Sequence, residues 1–231
     1  MPLDFDGVND LVNCNSAAVI NNVVSKTLSC WLNADNYGEG NLGNMFAKTN
    51  WNFRVDSSGA LNYRNVFSVG TLGVWRSAVN SFNTGSWTHV AVTYVRSSTS
   101  NIPTFFINGS SQTTTTVIQP VGSANAENTS AYVLGNNAAA AATFDGKLEE
   151  MAFYNAVLTA EDILRLATSR IRGTPLMVAA SNLIAYHPLD EFPDGATASG
   201  TSSNRDRSAN INHGTPTNSP VGRASQVLSY A

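Results

Sequence analysis

Charge is scarce in this chain of 231 residues: Asp, Glu, Lys and Arg make up 13% of it, about half the usual share. The surface must therefore be built largely from Asn, Ser and Thr. The formal charge is −3, with 13 Lys and Arg scattered against 16 Asp and Glu. That offers no basic field for a phosphate backbone and argues against nucleic acid as a partner. Apolar runs are short and broken by Asn or Ser, far below the ~20 residues of a membrane helix, so membrane insertion is not expected. The opening MPLDFDGVND has neither the basic start nor the apolar stretch of a secretory signal, and none is expected there.

Catalytic constellations are missing too. The three histidines, His89, His187 and His213, are far apart in sequence and accompany no Ser or Cys nucleophile motif, so each reads as structural or exposed. Glu149 and Glu150 are adjacent; on a regular strand they face opposite sides and cannot form a paired acid and nucleophile. The two cysteines, Cys14 and Cys30, fall among apolar neighbours and could form one disulfide or stay as buried thiols. A domain of this size needs no staple, which favours thiols. The sequons at Asn108 and Asn128 are common by chance in so Asn- and Ser-rich a chain and say little.

What is present is strand alternation. In residues 85–109, GSWTHVAVTYVRSSTSNIPTFFING, Val90, Val92 and Tyr94 alternate with His89, Ala91 and Thr93, the period of a strand with one buried face. Residues 104–107 make a second strand, and Asn108-Gly109 supplies the two residues that most readily adopt positive φ in a tight turn. Leu28, Cys30 and Leu32 alternate with Ser29, Trp31 and Asn33. Between Met45 and Val79 the short runs MFAK, NFRVD, ALNYRN and VWRSAV follow at meander spacing, with Asp56-Ser57-Ser58-Gly59 as a hairpin connection. Residues 112–128 read as an edge strand and a loop, residues 131–136 as a strand, and the alanines 138–142 as a surface loop able to pack closely against a neighbour. Residues 144–154 form a strand. After it, Thr159 with Asp162 three residues on makes a capping-box start for one short helix over 159–169, with Ile163, Leu164 and Ala167 as its apolar stripe.

Three strings carry a family resemblance. FDGVNDLV near the start, WTHVAV followed by FFING, and FDGKLEEMAFYNAVLTAEDILRLA resemble the laminin-G-like group of concanavalin A-type jelly rolls. The resemblance implies an all-β fold, a two-sheet antiparallel jelly-roll sandwich with one short helix, in which the Trp31 strand packs its indole into the sandwich. Residues 1–172 then form the sandwich. After Gly173 the chain is rich in Pro and Gly, yet residues 182–191, 205–214 and 227–230 resemble the opening of such a module, displaced to the end. The segment 173–231 is expected to contribute a strand to the same or a neighbouring sandwich, with Leu183, Ala185, Tyr186, Leu189, Val227 and Leu228 in a core. If the pairing is intramolecular, Tyr230 should sit near Leu3.

Laminin-G-like modules often hold calcium at a loop of the sandwich. Asp6, Asp10 and Asp145, with Asp4 and Asn9 beside them, are the hard oxygen donors such an ion prefers; they are also plain turn formers. Jelly-roll glucanases carry E-x-D-x-x-E on a strand, which this chain lacks. The function implied is a non-enzymatic surface or assembly module: a virion coat, fibre or decoration component, or a cell-surface adhesive protein, extracellular or on a virion. Its partners would be protein neighbours or surface glycans, as a homo-oligomer or part of a larger particle. A carbohydrate-binding lectin is the alternative, with Trp51, Trp75 and Tyr37 as candidate stacking platforms unless they pack in the core. A glycoside hydrolase ranks last.

Overall fold

The computed structural model describes residues 1–68, 71–123, 125–126, 130–169 and 171–224. Alternation of apolar and polar side chains along short runs yields strands that each bury one face, and two antiparallel sheets close over the shared core as a jelly-roll sandwich. Sheet A contains β1 (Leu3–Asp6), β3 (Ser25–Ala34), β8 (Thr88–Val95), β9 (Thr104–Ile107), β10 (Ser110–Gln112), β13 (Asp145–Tyr154), β14 (Leu183–His187) and β16 (Val221–Gly222). Sheet B contains β2 (Leu11–Asn13), β4 (Asn44–Lys48), β5 (Trp51–Asp56), β6 (Ala60–Val66), β7 (Leu72–Arg76), β11 (Thr115–Ile118), β12 (Val133–Leu134) and β15 (Thr215–Thr217). In sheet A the order is β10-β9-β8-β3-β13-β1-β16, with β14 also on β13; in sheet B it is β11-β7-β6-β5-β4-β12-β2-β15.

The two FDG strings meet. Phe5 pairs with Gly146 and Asp6 with Asp145 across the β1–β13 ladder. Gly146 sits at φ +123°, and a Cβ there would lie 2.3 Å from the Asn33 carbonyl, so the motif glycine is a steric requirement. β13 then changes partner midway. Residues 145–148 pair with β1 and residues 151–154 with β14, and between them the ladder to β3 slips while Glu150 takes a φ of +54°. This bulge breaks the alternation expected for Glu149 and Glu150: both carboxyls are buried near Arg172 instead of facing opposite sides.

The last quarter of the chain joins the sandwich through its own strands. β14 lies on β13, β15 on β2 and β16 on β1, and Leu183, Ala185, Tyr186 and Leu189 are buried. Val221 and Gly222 pair with Asp4 and Leu3; Tyr230, expected near Leu3, lies outside the described residues, as do Val227, Leu228 and Asn128. Arg223 Nε donates to Asp4 Oδ2 at 2.8 Å, fastening the two ends together.

Two local readings are corrected. Helix α1 (Ala160–Thr168) starts on the Thr159–Asp162 capping box, but it buries Ile163, Leu166 and Ala167 and leaves Leu164 47% exposed; the face toward the sheet follows positions three and four apart. Trp31 does not enter the sandwich. It points away from Cys30, onto the outer face of sheet A, against Trp87 and edge-on to His89. Cys14 and Cys30 are free and buried.

Candidate functional site

The outer face of sheet B is set by register. Trp51, Phe53 and Val55 of β5 turn inward, as do Leu61 and Tyr63 of β6 and Trp75 of β7. The alternate positions therefore turn out. One outward row runs Asn44–Arg54–Asn62–Arg76 across β4 to β7, and a second contains Ala47–Asn52–Arg64. The three arginines are half-buried, their stems lying along the sheet as long cationic side chains do. Arg54 Nε donates to Asn62 Oδ1 at 3.2 Å. Nε of Arg64 and of Arg76, and Oδ1 of Asn44 and of Asn52, are buried with no hydrogen-bond partner. Such atoms normally find one in water or a ligand. Burial, followed by the neighbouring Arg64 charge, lowers the pKa of Arg54.

At one end of this face a cleft of about 250 Å³ is lined by Lys48, Thr49, Asn52, Arg64, Asn137 and Ala138. Its far wall is the alanine loop, held tight because Asn137 Oδ1 accepts from the Ala139 and Ala141 amides. The small side chains keep the cleft open.

The anticipated aromatic platforms lie elsewhere. Trp51 and Trp75 are 1% and 0% exposed, because the strand period that turns Asn52, Arg54 and Arg76 outward turns them into the core. Trp51 also carries the Lys26 ammonium 4.6 Å above its ring. Tyr37 is half-buried, edge-on to Phe82. Neither tryptophan offers a free ring face to a sugar.

Asp6, Asp10 and Asp145 do come together at one corner of the sandwich. Asp6 Oδ1 accepts from the Val8 and Asn9 amides, Asp10 Oδ2 from the Asp6 amide at 3.1 Å, and Asp145 Oδ2 from Asn36. Asp10 Oδ1 is buried and unpartnered. Burial, then the Asp6 charge, pushes the Asp10 carboxyl up to about 7, and burial raises Asp145 as well. Among the described residues no three acidic, His or Cys side chains are placed to hold a metal ion.

A second polar cluster lies beneath α1. Ser29 Oγ and His89 Nε2 are 2.9 Å apart. Tyr186 donates its hydroxyl to Glu150 Oε2 at 2.7 Å, as does the Gly173 amide at 3.0 Å. The space between Ser29, His89 and Glu150, about 10 Å³, has room for one water and none for a sugar.

Sequence reasoning missed the arginine face. Its signal was in plain view: between Asn44 and Val79 there are Lys48, Arg54, Arg64 and Arg76 against the single acid Asp56, in a chain that is acidic as a whole.

The sequence matches the family described as the concanavalin A-like lectin/glucanases superfamily over residues 6–164. No curated protein matches it. Among solved structures, a candidate carbohydrate-binding protein of Bacteroides ovatus ATCC 8483 superposes with a TM-score of 0.63 at 16% identity, covering 96% of this chain and 61% of that one. This chain thus spans about three fifths of that relative's length. The CBM40 module of the Ruminococcus gnavus IT-sialidase gives 0.50 at 11% identity, over 73% of this chain and 99% of that one. At these identities the likeness is one of fold.

Proposed function

We propose, from the premise that the chain belongs to the concanavalin A-like lectin/glucanases superfamily, that it is a non-enzymatic carbohydrate-binding module acting outside the cell. The outer face of sheet B is its binding surface. The observation that carries this is the set of buried, unpartnered donors and acceptors on Asn44, Asn52, Arg64 and Arg76, the mixed hydrogen-bonding chemistry that sugar hydroxyls satisfy. The description of the Bacteroides neighbour as a candidate carbohydrate-binding protein and of the Ruminococcus one as a CBM40 module supports the reading by analogy of fold. A glycan array probed with the intact chain tests it: binding that Asn52→Ala weakens is expected, and an array without hits at high protein concentration would remove the idea.

Calcium enters this reading as a structural ion at the Asp6–Asp10–Asp145 corner. The unpartnered Asp10 Oδ1 and the raised carboxyls there support it, since a cation would relieve both. With no three side chains converging, main-chain oxygens and water would complete the shell, as calcium readily accepts.

Assembly into a coat, fibre or other particle is a second reading, favoured by β11. It is the terminal strand of sheet B, it carries no charge, and Val117 and Ile118 are 52% and 45% exposed. An uncharged β-branched edge is a template for another strand. Light scattering that reports a monomer at all concentrations would dismiss this reading.

A further inference from the structure

We propose that the ligand of the sheet B face is an acidic glycan, a chain bearing carboxylate or sulfate groups, gripped by Arg54, Arg64 and Arg76. The inference rests on the carbohydrate-binding reading and adds the charge class of the sugar.

This chain pairs its arginines elsewhere. Arg172 meets Asp190 at 2.8 Å and Glu149 at 3.9 Å, Arg207 meets Asp190, and Arg223 meets Asp4 at 2.8 Å. Among the described residues Arg54, Arg64 and Arg76 have no ion pair. The one acid beside them, Asp56, spends Oδ1 on the amide and hydroxyl of Ser58 and acts on Arg54 only through space, where burial and the Arg64 charge outweigh it. Three like charges on one sheet face repel each other, and a shared anionic ligand removes that cost. A guanidinium is the group that matches carboxylate and sulfate oxygens two at a time.

Spacing points to a chain rather than a small anion. Arg54 and Arg76 flank Asn62 in a single cross-strand row, two strand spacings or about 10 Å apart. Arg64 stands two residues further along β6 from Asn62, about 7 Å away. No single carboxylate reaches all three. A polysaccharide with repeated acid groups does, placing one unit in the cleft beside Arg64, with a hydroxyl on Asn52, and the next along the arginine row. The aromatic rings of β5 to β7 all face the core, so the face lacks the stacking surface that single-stranded nucleic acids require.

The test is calorimetric titration of the intact chain with four polymers: a uronic-acid polysaccharide, a sulfated polysaccharide, a neutral glucan and single-stranded DNA. One or both acidic polysaccharides should bind, with affinity falling as salt rises. Arg64→Gln and Arg76→Gln should each weaken this about tenfold or more, the effect of losing one charge-assisted hydrogen bond. Arg64→Lys separates charge from the bidentate fork, and unchanged melting temperatures verify that the variants fold. If neutral glucan binds as well as the acidic ones, or the arginine variants bind normally, the charge class is wrong while carbohydrate binding stands. If no polysaccharide binds, the parent reading fails and takes this one with it. Equal binding of DNA would reduce the face to a general polyanion trap and overturn the proposal.

Discussion

Gly146 stands opposite Phe5 across the β1–β13 ladder, with the Asn33 carbonyl where its side chain would begin. The FDG string therefore records a packing constraint. Gly146→Ala would force a residue with a side chain into the positive-φ region against main chain that cannot yield. It is expected to cost about 3 kcal/mol or more, lowering the melting temperature by about 6–12 °C in a chain of this size. A melting curve like the parent's would contradict that account.

Removing divalent ions tests the acidic corner. If calcium is resident at Asp6, Asp10 and Asp145, chelator lowers the melting temperature and added calcium restores it, by mass action on the folded state. Asp10→Asn should abolish the difference. An unchanged curve in chelator, with no calcium found by elemental analysis, would eliminate the ion.

Truncation after Gly173 removes β14, β15 and β16. Leu183, Ile184, Tyr186 and Leu189 are buried, and large apolar side chains contribute about 1.5–3 kcal/mol each, a sum comparable with the whole stability of a typical domain. The fragment 1–173 should show no cooperative unfolding and should aggregate through the bared edge of β13. A soluble monomer melting at the parent temperature would reduce residues 174–231 to a linker.

Acid should unfold the protein partly through His89. Burial lowers its pKa from 6.5 to about 3, and His187 is lowered by burial too. Between those pH values the unfolded chain binds protons that the folded chain refuses. Stability is thus fully held above pH 6.5 and lost as pH falls toward 3. His89→Gln should flatten this limb of the stability curve, measured by denaturant titration across that range; an equally steep limb would move the cause to other groups.

Much of this was legible in one dimension. Alternation placed β8, and Thr159 with Asp162 placed the start of α1. The same period, read strictly through Trp51-Asn52-Phe53-Arg54, already turns the indole inward and the guanidinium outward. Treating Trp51 and Trp75 as candidate stacking platforms hid both facts, and with them the arginine face. The bulge at Glu149 and Glu150 was beyond reach, because period-two patterning assumes the regularity that a bulge suspends. Leu164 and Leu166 were exchanged for a milder reason: a helix of nine residues, about two and a half turns, supports either stripe, and the sheet beneath decides.

The shared strand β13 also has a consequence for synthesis. β1 is made well before its ladder partners: Lys147 and Leu148 on one side come about two thirds of the way along the described chain, and Val221 and Gly222 on the other come at its end. Sheet A therefore cannot be completed until residues 221–222 have been made. Until then the edges of β1 and β13 stay open, and unpaired strand edges are where nascent chains mispair.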